Sequence, residues 1–259
     1  MLNSLFFFYL RHIKLVLKVV KNFFICLYSN YLPFGSICLE YKANVKITKK
    51  YKIRKTSEAK LKINLTSIQK EVVIGTVLGD SSIERAKPNH NSRIRYDQSF
   101  PEHATYLIYL FGGFNNLCKK GPKVFIRKPD ILTGKVYSHI SFKTLNLLCL
   151  NEFYELFYKD KKKIIPLNIA DLLTPRALAF WIRDDGSKIY PTQNALHTLS
   201  YTYSEVLLLQ QALYSNFKLK SSLFEKTPNQ WIIIIPIKQE VSLKEIVMPY
   251  MHYTFLYKL

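Results

Sequence analysis

The segment LTPRALAFWIRDDGS, residues 173–187, decides which fold the rest of the chain can adopt. Thr174 and Pro175 are typical of an N-cap followed by the first helical position, and they predict a helix over Ala177–Asp185. This helix is apolar along most of its length and ends in carboxylates immediately before Gly186. A carboxylate is unfavourable at the negative end of a helix dipole, so its presence there indicates a role beyond folding.

A second segment of the same kind, VIGTVLGDS at residues 73–81, also ends in a carboxylate followed by a small residue. Gly75 and Gly79 are one helical turn apart, so they share a helix face that is free of side-chain bulk and lets another helix approach closely. Pairing of the two helices would bring Asp80 beside Asp185, and the repulsion between them would be offset by divalent cations that prefer oxygen ligands, such as Mg²⁺. Such metal ions support phosphodiester hydrolysis.

Further N-cap signatures and alternating runs give the order of elements along the chain. Capping boxes are predicted at Thr66–Gln69, Ser99–Glu102 and Thr202–Glu205, and the last two open helices over Ala104–Cys118 and Val206–Phe217. Alternating or apolar runs predict strands at Arg93–Gln98, Lys135–Phe142 and Trp231–Ile237. The order is helix, two strands, helix, two strands, helix, and it repeats from Thr174. We therefore expect a pseudo-twofold α+β protein.

The charge of the chain calls for a polyanionic partner or an anionic membrane. The 259 residues carry a formal net charge of +20, yet 48% of them are hydrophobic, which excludes a disordered polycation. Residues 1–70 hold a net +12 of this surplus, and residues 71–259 hold +8. The four cysteines are irregularly spaced, so neither a disulfide framework nor a thiolate zinc site is expected, and a reducing compartment is the default.

The N-terminal region admits several interpretations. Four cations between Arg11 and Lys21 recur at steps of three and four, as they would on one face of an interfacial helix or a targeting segment. The uncharged run Asn22–Leu39 contains Asn, Pro and Gly residues, so no stable membrane span is expected. The alternative is an extension without a fixed fold, joined by a basic linker over residues 42–62.

The two carboxylate-ended segments, with the lead-in to the second, resemble the motifs of monomeric, two-motif LAGLIDADG homing endonucleases encoded in organellar introns. The resemblance covers residues 65–259. It implies a basic, apolar N-terminal extension over residues 1–64, a first LAGLIDADG half over 65–172 and a second over 173–259. The fold of this family has two αββαββα halves, with the motif helices packed centrally and two antiparallel sheets forming a DNA-binding saddle.

The resemblance also assigns roles to individual residues. Asp80 and Asp185 would bind the catalytic Mg²⁺, for which Mn²⁺ would be able to substitute, and the backbone carbonyls of Gly79 and Asp184 would supply further oxygens. Three more side chains match residues that organise water or stabilise the transition state in this family: Gln98, Lys163 and Lys258. In the second half Leu199 falls near the position of Gln98, which indicates two chemically different half-sites.

Outward-facing basic residues on the strands are expected to contact DNA. Arg93 and Arg95 share a strand face at period two, so both can reach guanine edges or phosphates. The further candidates at strand ends and loops are Arg127, Lys128, Lys135, Lys188 and Lys226. The expected target is a long, pseudo-palindromic DNA duplex, and affinity should fall steeply with salt.

Two alternatives to a DNA endonuclease stay open at the level of sequence. An RNA maturase would use the same basic saddle to assist the splicing of its host intron, with or without DNA cleavage. A membrane-surface protein would depend only on the helix over residues 11–21. Because both motifs lie in one chain, the resemblance implies a monomer. It also implies a protein encoded and translated in the mitochondrion or, alternatively, in the chloroplast.

Overall fold

The computed structural model describes residues 63–189 and 192–259. The predicted helix over residues 11–21 and the basic linker over residues 42–62 lie outside the described residues. Within the described ranges, no helix is long and apolar enough to cross a membrane.

Helices and strands follow one another in the same order in two successive parts of the chain. The elements before residue 173 are α1 (Ser67–Leu78), β1 (Ser82–Glu84), β2 (Arg93–Phe100), α2 (Ala104–Phe114), β3 (Lys123–Ile126), β4 (Ser138–Lys143), α3 (Asn151–Phe157), β5 (Tyr158–Lys159), β6 (Lys162–Lys163) and α4 (Ile169–Leu172). The elements after it are α5 (Pro175–Asp185), β7 (Gly186–Ile189), β8 (Gln193–His197), α6 (Tyr203–Phe217), β9 (Ser222–Thr227), β10 (Gln230–Pro236) and α7 (Leu243–Val247), followed by 3₁₀ turns at Met248–Tyr250 and Tyr253–Lys258.

Two four-stranded antiparallel sheets share one topology. The strand order is β1-β2-β4-β3 in the first sheet and β7-β8-β10-β9 in the second. In each sheet the first strand begins directly after a central helix, α1 or α5. The predicted α+β fold with two antiparallel sheets is therefore confirmed.

Local sequence predicts most helix starts correctly. Both Thr66 and Thr202 form complete capping boxes, and the hydroxyl of Thr174 accepts the backbone N–H of Ala177. Ser99 is the exception, because it lies within β2 and pairs with His139 of β4. The backbone of Ser99 pairs with β4 instead of forming a capping box, and the helix that follows begins after His103.

Several element ends also differ from those predicted by local sequence, including that of α1, which ends at Leu78 and leaves Gly79 and Asp80 outside the helix. Helix α2 ends at Phe114 and continues only as a 3₁₀ turn over Asn115–Leu117, short of the predicted Cys118. Strand β4 begins at Ser138, so Lys135 belongs to the preceding loop rather than to the strand. In both places the competing structure is set by neighbouring elements, which a local pattern does not contain.

The centre of the fold is the contact between α1 and α5. Val73 and Val77 of α1 are fully buried, as are Ala177 and Leu178 of α5. A Cβ atom added at Gly75 would lie 2.2 Å from the carbonyl oxygen of Ala177. The missing side chain at this position therefore sets how closely the two helices approach, and through them where Asp80 and Asp185 lie.

Candidate active site

The two motif carboxylates leave their helices differently. Helix α1 ends at Leu78, so Asp80 lies beyond the helix and is exposed, whereas Asp185 is the last residue of α5 and is half-buried. Burial, followed by the negative charge of Asp80, raises the pKa of Asp185 to about 7. The two motif ends also meet directly, because the backbone N–H of Asp80 donates to the side chain of Asp184, the residue next to Asp185.

A third carboxylate, that of Asp184, joins this pair. Its Oδ2 accepts a hydrogen bond from the backbone N–H of Asp80 at 3.2 Å. Burial and the charges of Asp80 and Asp185 raise the pKa of Asp184 well above the usual range. The motif ends thus bring together three acidic groups where desolvation disfavours their charged forms.

Two lysines lie against the same helix ends. Lys163 Nζ donates to the carbonyl oxygens of Gly79 at 2.8 Å and Ser81 at 3.0 Å. Lys258 Nζ donates to the carbonyl oxygens of Arg183 at 2.6 Å and Asp184 at 3.3 Å. Burial lowers the pKa of both lysines, and the neighbouring carboxylates oppose that change. Each motif end is therefore matched with one ammonium group.

Gln98 approaches the first carboxylate from β2, where its Nε2 donates to Asp80 Oδ2 at 3.4 Å. Its counterpart in the second half follows from strand register, since Ser82 pairs with Arg95 and Ser187 pairs with Ala195. Gln98 lies three residues after Arg95, and Thr198 lies three residues after Ala195, so Thr198 is equivalent to Gln98.

The assignment of Leu199 to the position equivalent to Gln98 is therefore wrong by one residue, which also changes the face of the sheet. Thr198 is fully buried, and its hydroxyl donates to the carbonyl oxygen of Trp231 at 2.6 Å. The two half-sites thus differ in the polar group that comes from the second strand.

The residues at the helix ends fit a divalent cation. Within residues 63–189 and 192–259, no three His, Cys, Asp or Glu side chains form a cluster that could hold a metal ion. Asp80 and Asp185 would therefore need backbone oxygens to complete a coordination shell. The carbonyl oxygens of Gly79 and Asp184 each accept a hydrogen bond from a lysine ammonium, and a carbonyl oxygen has a second lone pair with which it could bind a cation. Carboxylate and carbonyl oxygens are the ligands that Mg²⁺ prefers.

The outer face of the first sheet carries both predicted arginines, and each is paired with a carboxylate. Arg93 contacts Glu84 at 2.7 Å, and Lys143 contacts the same carboxylate at 3.1 Å. Arg95 forms an ion pair with Asp97. The strand register places all five side chains on one face. Both acids escaped prediction, because a lone Glu or Asp on a strand has no distinctive pattern.

The other predicted contacts are placed less uniformly. Arg127 borders a cavity of about 350 Å³ that is also lined by Asp80, Gln98 and Lys258. Lys188 Nζ donates to the carbonyl oxygen of Leu259 at 3.0 Å and is thus held by the C-terminus. Lys226 is exposed on β9, and Lys128 and Lys135 are exposed in the loop between β3 and β4.

A family model described as the LAGLIDADG DNA endonuclease family matches residues 70–243. The chain belongs to this family. Residues 70–243 include both motif helices and reach from α1 to the start of α7. The LAGLIDADG assignment made from the two motif segments is therefore confirmed.

Known LAGLIDADG relatives include both maturases and endonucleases. The chain is 29% identical to cytochrome b mRNA maturase bI2 of Saccharomyces cerevisiae over 229 residues, which are 85% of this chain and 52% of that protein. It is 30% identical to probable intron-encoded endonuclease 1 of Wickerhamomyces canadensis over 230 residues, covering 83% and 91% of the two chains. The chain thus spans about half the length of the maturase.

A solved structure of a LAGLIDADG protein has the same architecture. It is described as the homing endonuclease I-WcaI bound to its DNA recognition sequence, and it superposes with a TM-score of 0.70 at 28% identity. The match covers 76% of this chain and 88% of that one.

Proposed function

We propose that this protein is a site-specific, divalent-metal-dependent DNA endonuclease that hydrolyses both strands of a long, pseudo-palindromic target. The observation that carries the proposal is the pair Asp80 and Asp185, brought together at the ends of two packed helices with one lysine beside each. The basic outer face of the first sheet supports a DNA partner. The DNA-bound relative and the intron-encoded endonucleases among the relatives support the same activity.

The residues at the helix ends divide the work of hydrolysis. Asp80, Asp185 and the carbonyls of Gly79 and Asp184 would hold Mg²⁺ or Mn²⁺, which supplies a hydroxide and neutralises charge on the phosphate. Lys163 and Lys258 place ammonium groups where negative charge develops in the transition state, in a partly water-excluded site where that charge interacts strongly. Gln98 orders the solvent that faces Asp80.

Substitution of the carboxylates tests this assignment. Asp80→Asn and Asp185→Asn should each abolish Mg²⁺-dependent cleavage of DNA that spans the intronless insertion site, while binding of the same DNA persists. Asp160→Asn is the matched control, because Asp160 is exposed in the turn between β5 and β6 and Asn also tolerates its positive φ of 51°. Cleavage that survives either motif substitution would remove the carboxylates from the mechanism.

A second candidate function is RNA maturation, which is favoured by the relatives named cytochrome b mRNA maturase. The partner would then be the host intron RNA, bound by the same protein with or without DNA cleavage. A splicing assay with purified intron RNA separates the two functions, since Asp185→Asn would abolish cutting and leave splicing intact. The intron-encoded relatives also support our proposal that the chain is made in the mitochondrion or chloroplast. The presence of both motifs in one chain supports our proposal that it acts as a monomer.

A further inference from the structure

The backbone holds the two catalytic carboxylates unequally. Asp185 is the C-terminal residue of α5, so helical hydrogen bonds fix its backbone. Asp80 lies beyond Leu78, the last residue of α1, and Gly79 turns out of the helix with φ −93° and ψ −130°, although the backbone N–H of Ser81 still donates to the carbonyl oxygen of Thr76. Lys163 binds the carbonyls of Gly79 and Ser81, and Gln98 reaches the Asp80 carboxylate, so the backbone N–H of Asp80 is the group that needs a further contact from outside α1.

Asp184 supplies that contact from the other motif. A Cβ atom added to Gly79 would lie 2.4 Å from Asp184 Cβ and 2.7 Å from its Oδ2, so the Asp184 side chain occupies the space left by the missing side chain at Gly79. From there its Oδ2 accepts the backbone N–H of Asp80 at 3.2 Å. The other oxygen, Oδ1, is buried without a hydrogen-bond partner among the described residues, so a single contact accounts for the carboxylate's placement.

The arrangement has no counterpart in the opposite direction. Gly79 stands at the position of motif one that Asp184 occupies in motif two, and it has no side chain with which to reach Asp185. The first carboxylate therefore takes part of its positioning from the second motif, whereas the backbone of the second carboxylate is held within its own helix.

We infer that the Asp184 side chain is a positioning residue that fixes Asp80 across the helix interface and thereby couples the first half-site to the second. This inference rests on the proposed endonuclease function. Loss of the contact should impair the step that needs Asp80 more than the step that needs Asp185. Uncoupled cleavage of a duplex then appears as a nick in one particular strand.

The test compares Asp184→Ala with Asp184→Asn on a supercoiled plasmid that carries the target. Ala removes the acceptor, and we expect nicked circles cut in the same strand to accumulate, with the second cut slowed about 10- to 100-fold. Asn keeps an oxygen that can accept the Asp80 N–H, so it should restore linear product. Equal slowing of both strands by both variants, or unchanged cutting by Asp184→Ala, would overturn the inference.

Hydrogen exchange of the Asp80 backbone amide provides a readout that does not require cleavage. Asp184→Ala should speed this exchange about tenfold, and Asp184→Asn should leave it near the wild-type rate. If the wild-type protein cuts no DNA, the proposed function fails while the exchange rates still decide the positioning role. Equal exchange in wild type and Asp184→Ala would refute that role.

Discussion

Gly75 is the position at which a single added methyl group should disturb both the fold and the site. In Gly75→Ala the new Cβ would lie 2.2 Å from the carbonyl oxygen of Ala177 and 2.7 Å from Phe180 Cβ. Contacts between carbon atoms are favourable only at about 3.5–4.0 Å. Because Ala177 contributes backbone to α5 and cannot rotate away, α1 and α5 must separate by about 1 Å.

Two opposing terms set the size of the effect at Gly75. Replacing Gly by Ala inside a helix gains about 1 kcal/mol from helix propensity. Overpacking a close-packed interface costs about 3 kcal/mol when backbone has to move. We therefore expect the free energy of unfolding to fall by about 2 kcal/mol. The same displacement separates the two carboxylates, and misplacement by about 1 Å can slow catalysis roughly 100-fold.

Urea denaturation and plasmid cleavage measure the two consequences of Gly75→Ala separately. Gly121→Ala is the control, because its added Cβ would meet only Phe111 Cζ at 3.9 Å, an ordinary contact. The control should keep the wild-type rate of cleavage. If Gly75→Ala unfolds at the same urea concentration as Gly121→Ala, or at a higher one, the interpretation of Gly75 as the close-approach point is wrong.

Three further substitutions probe other parts of the structure. Burial, followed by the charge of Arg183, lowers the pKa of His252 to about 3, so the unfolded chain takes up a proton below pH 6.5 that the folded protein rejects. The free energy of unfolding should therefore fall by up to about 1.4 kcal/mol for each pH unit below 6.5. In His252→Phe this contribution to the pH dependence should be absent, as measured by urea denaturation midpoints between pH 6.5 and 5. Glu84→Gln removes the carboxylate that pairs with Arg93 and Lys143 on the sheet face, so nonspecific DNA binding should tighten. The slope of log affinity against log salt concentration should steepen by about one. Glu245→Gln is the control, because Glu245 is exposed and its substitution should change neither quantity. Lys258→Met should lower the rate of cleavage about 100-fold with DNA affinity retained. A loss of affinity alone would contradict the proposed role of Lys258 in stabilising the transition state.

Local patterns identify the parts of this fold that are stabilised locally. The capping boxes at Thr66 and Thr202 need only residues within one helical turn, so their sequence signatures predict the helix starts correctly. At Ser99 the same signature fails, because pairing with His139 is a contact between strands far apart in sequence. The prediction that Leu199 is equivalent to Gln98 fails for the same reason. Register is set by strand pairing, and a shift of one residue moves the side chain to the other face of the sheet.

The sequence alone determined the LAGLIDADG motifs, the pairing of the two motif helices and the distribution of positive charge, because residue spacing and composition encode these directly. Only the tertiary structure decided that Asp184 reaches Asp80, that Lys163 and Lys258 cover the motif carbonyls, and that Glu84 and Asp97 pair with the basic residues of the sheet face. Each of these contacts joins residues whose side chains meet through the packing of different elements. Such distances depend on how closely α1 approaches α5 and on strand register, and no local pattern of residues specifies either of them.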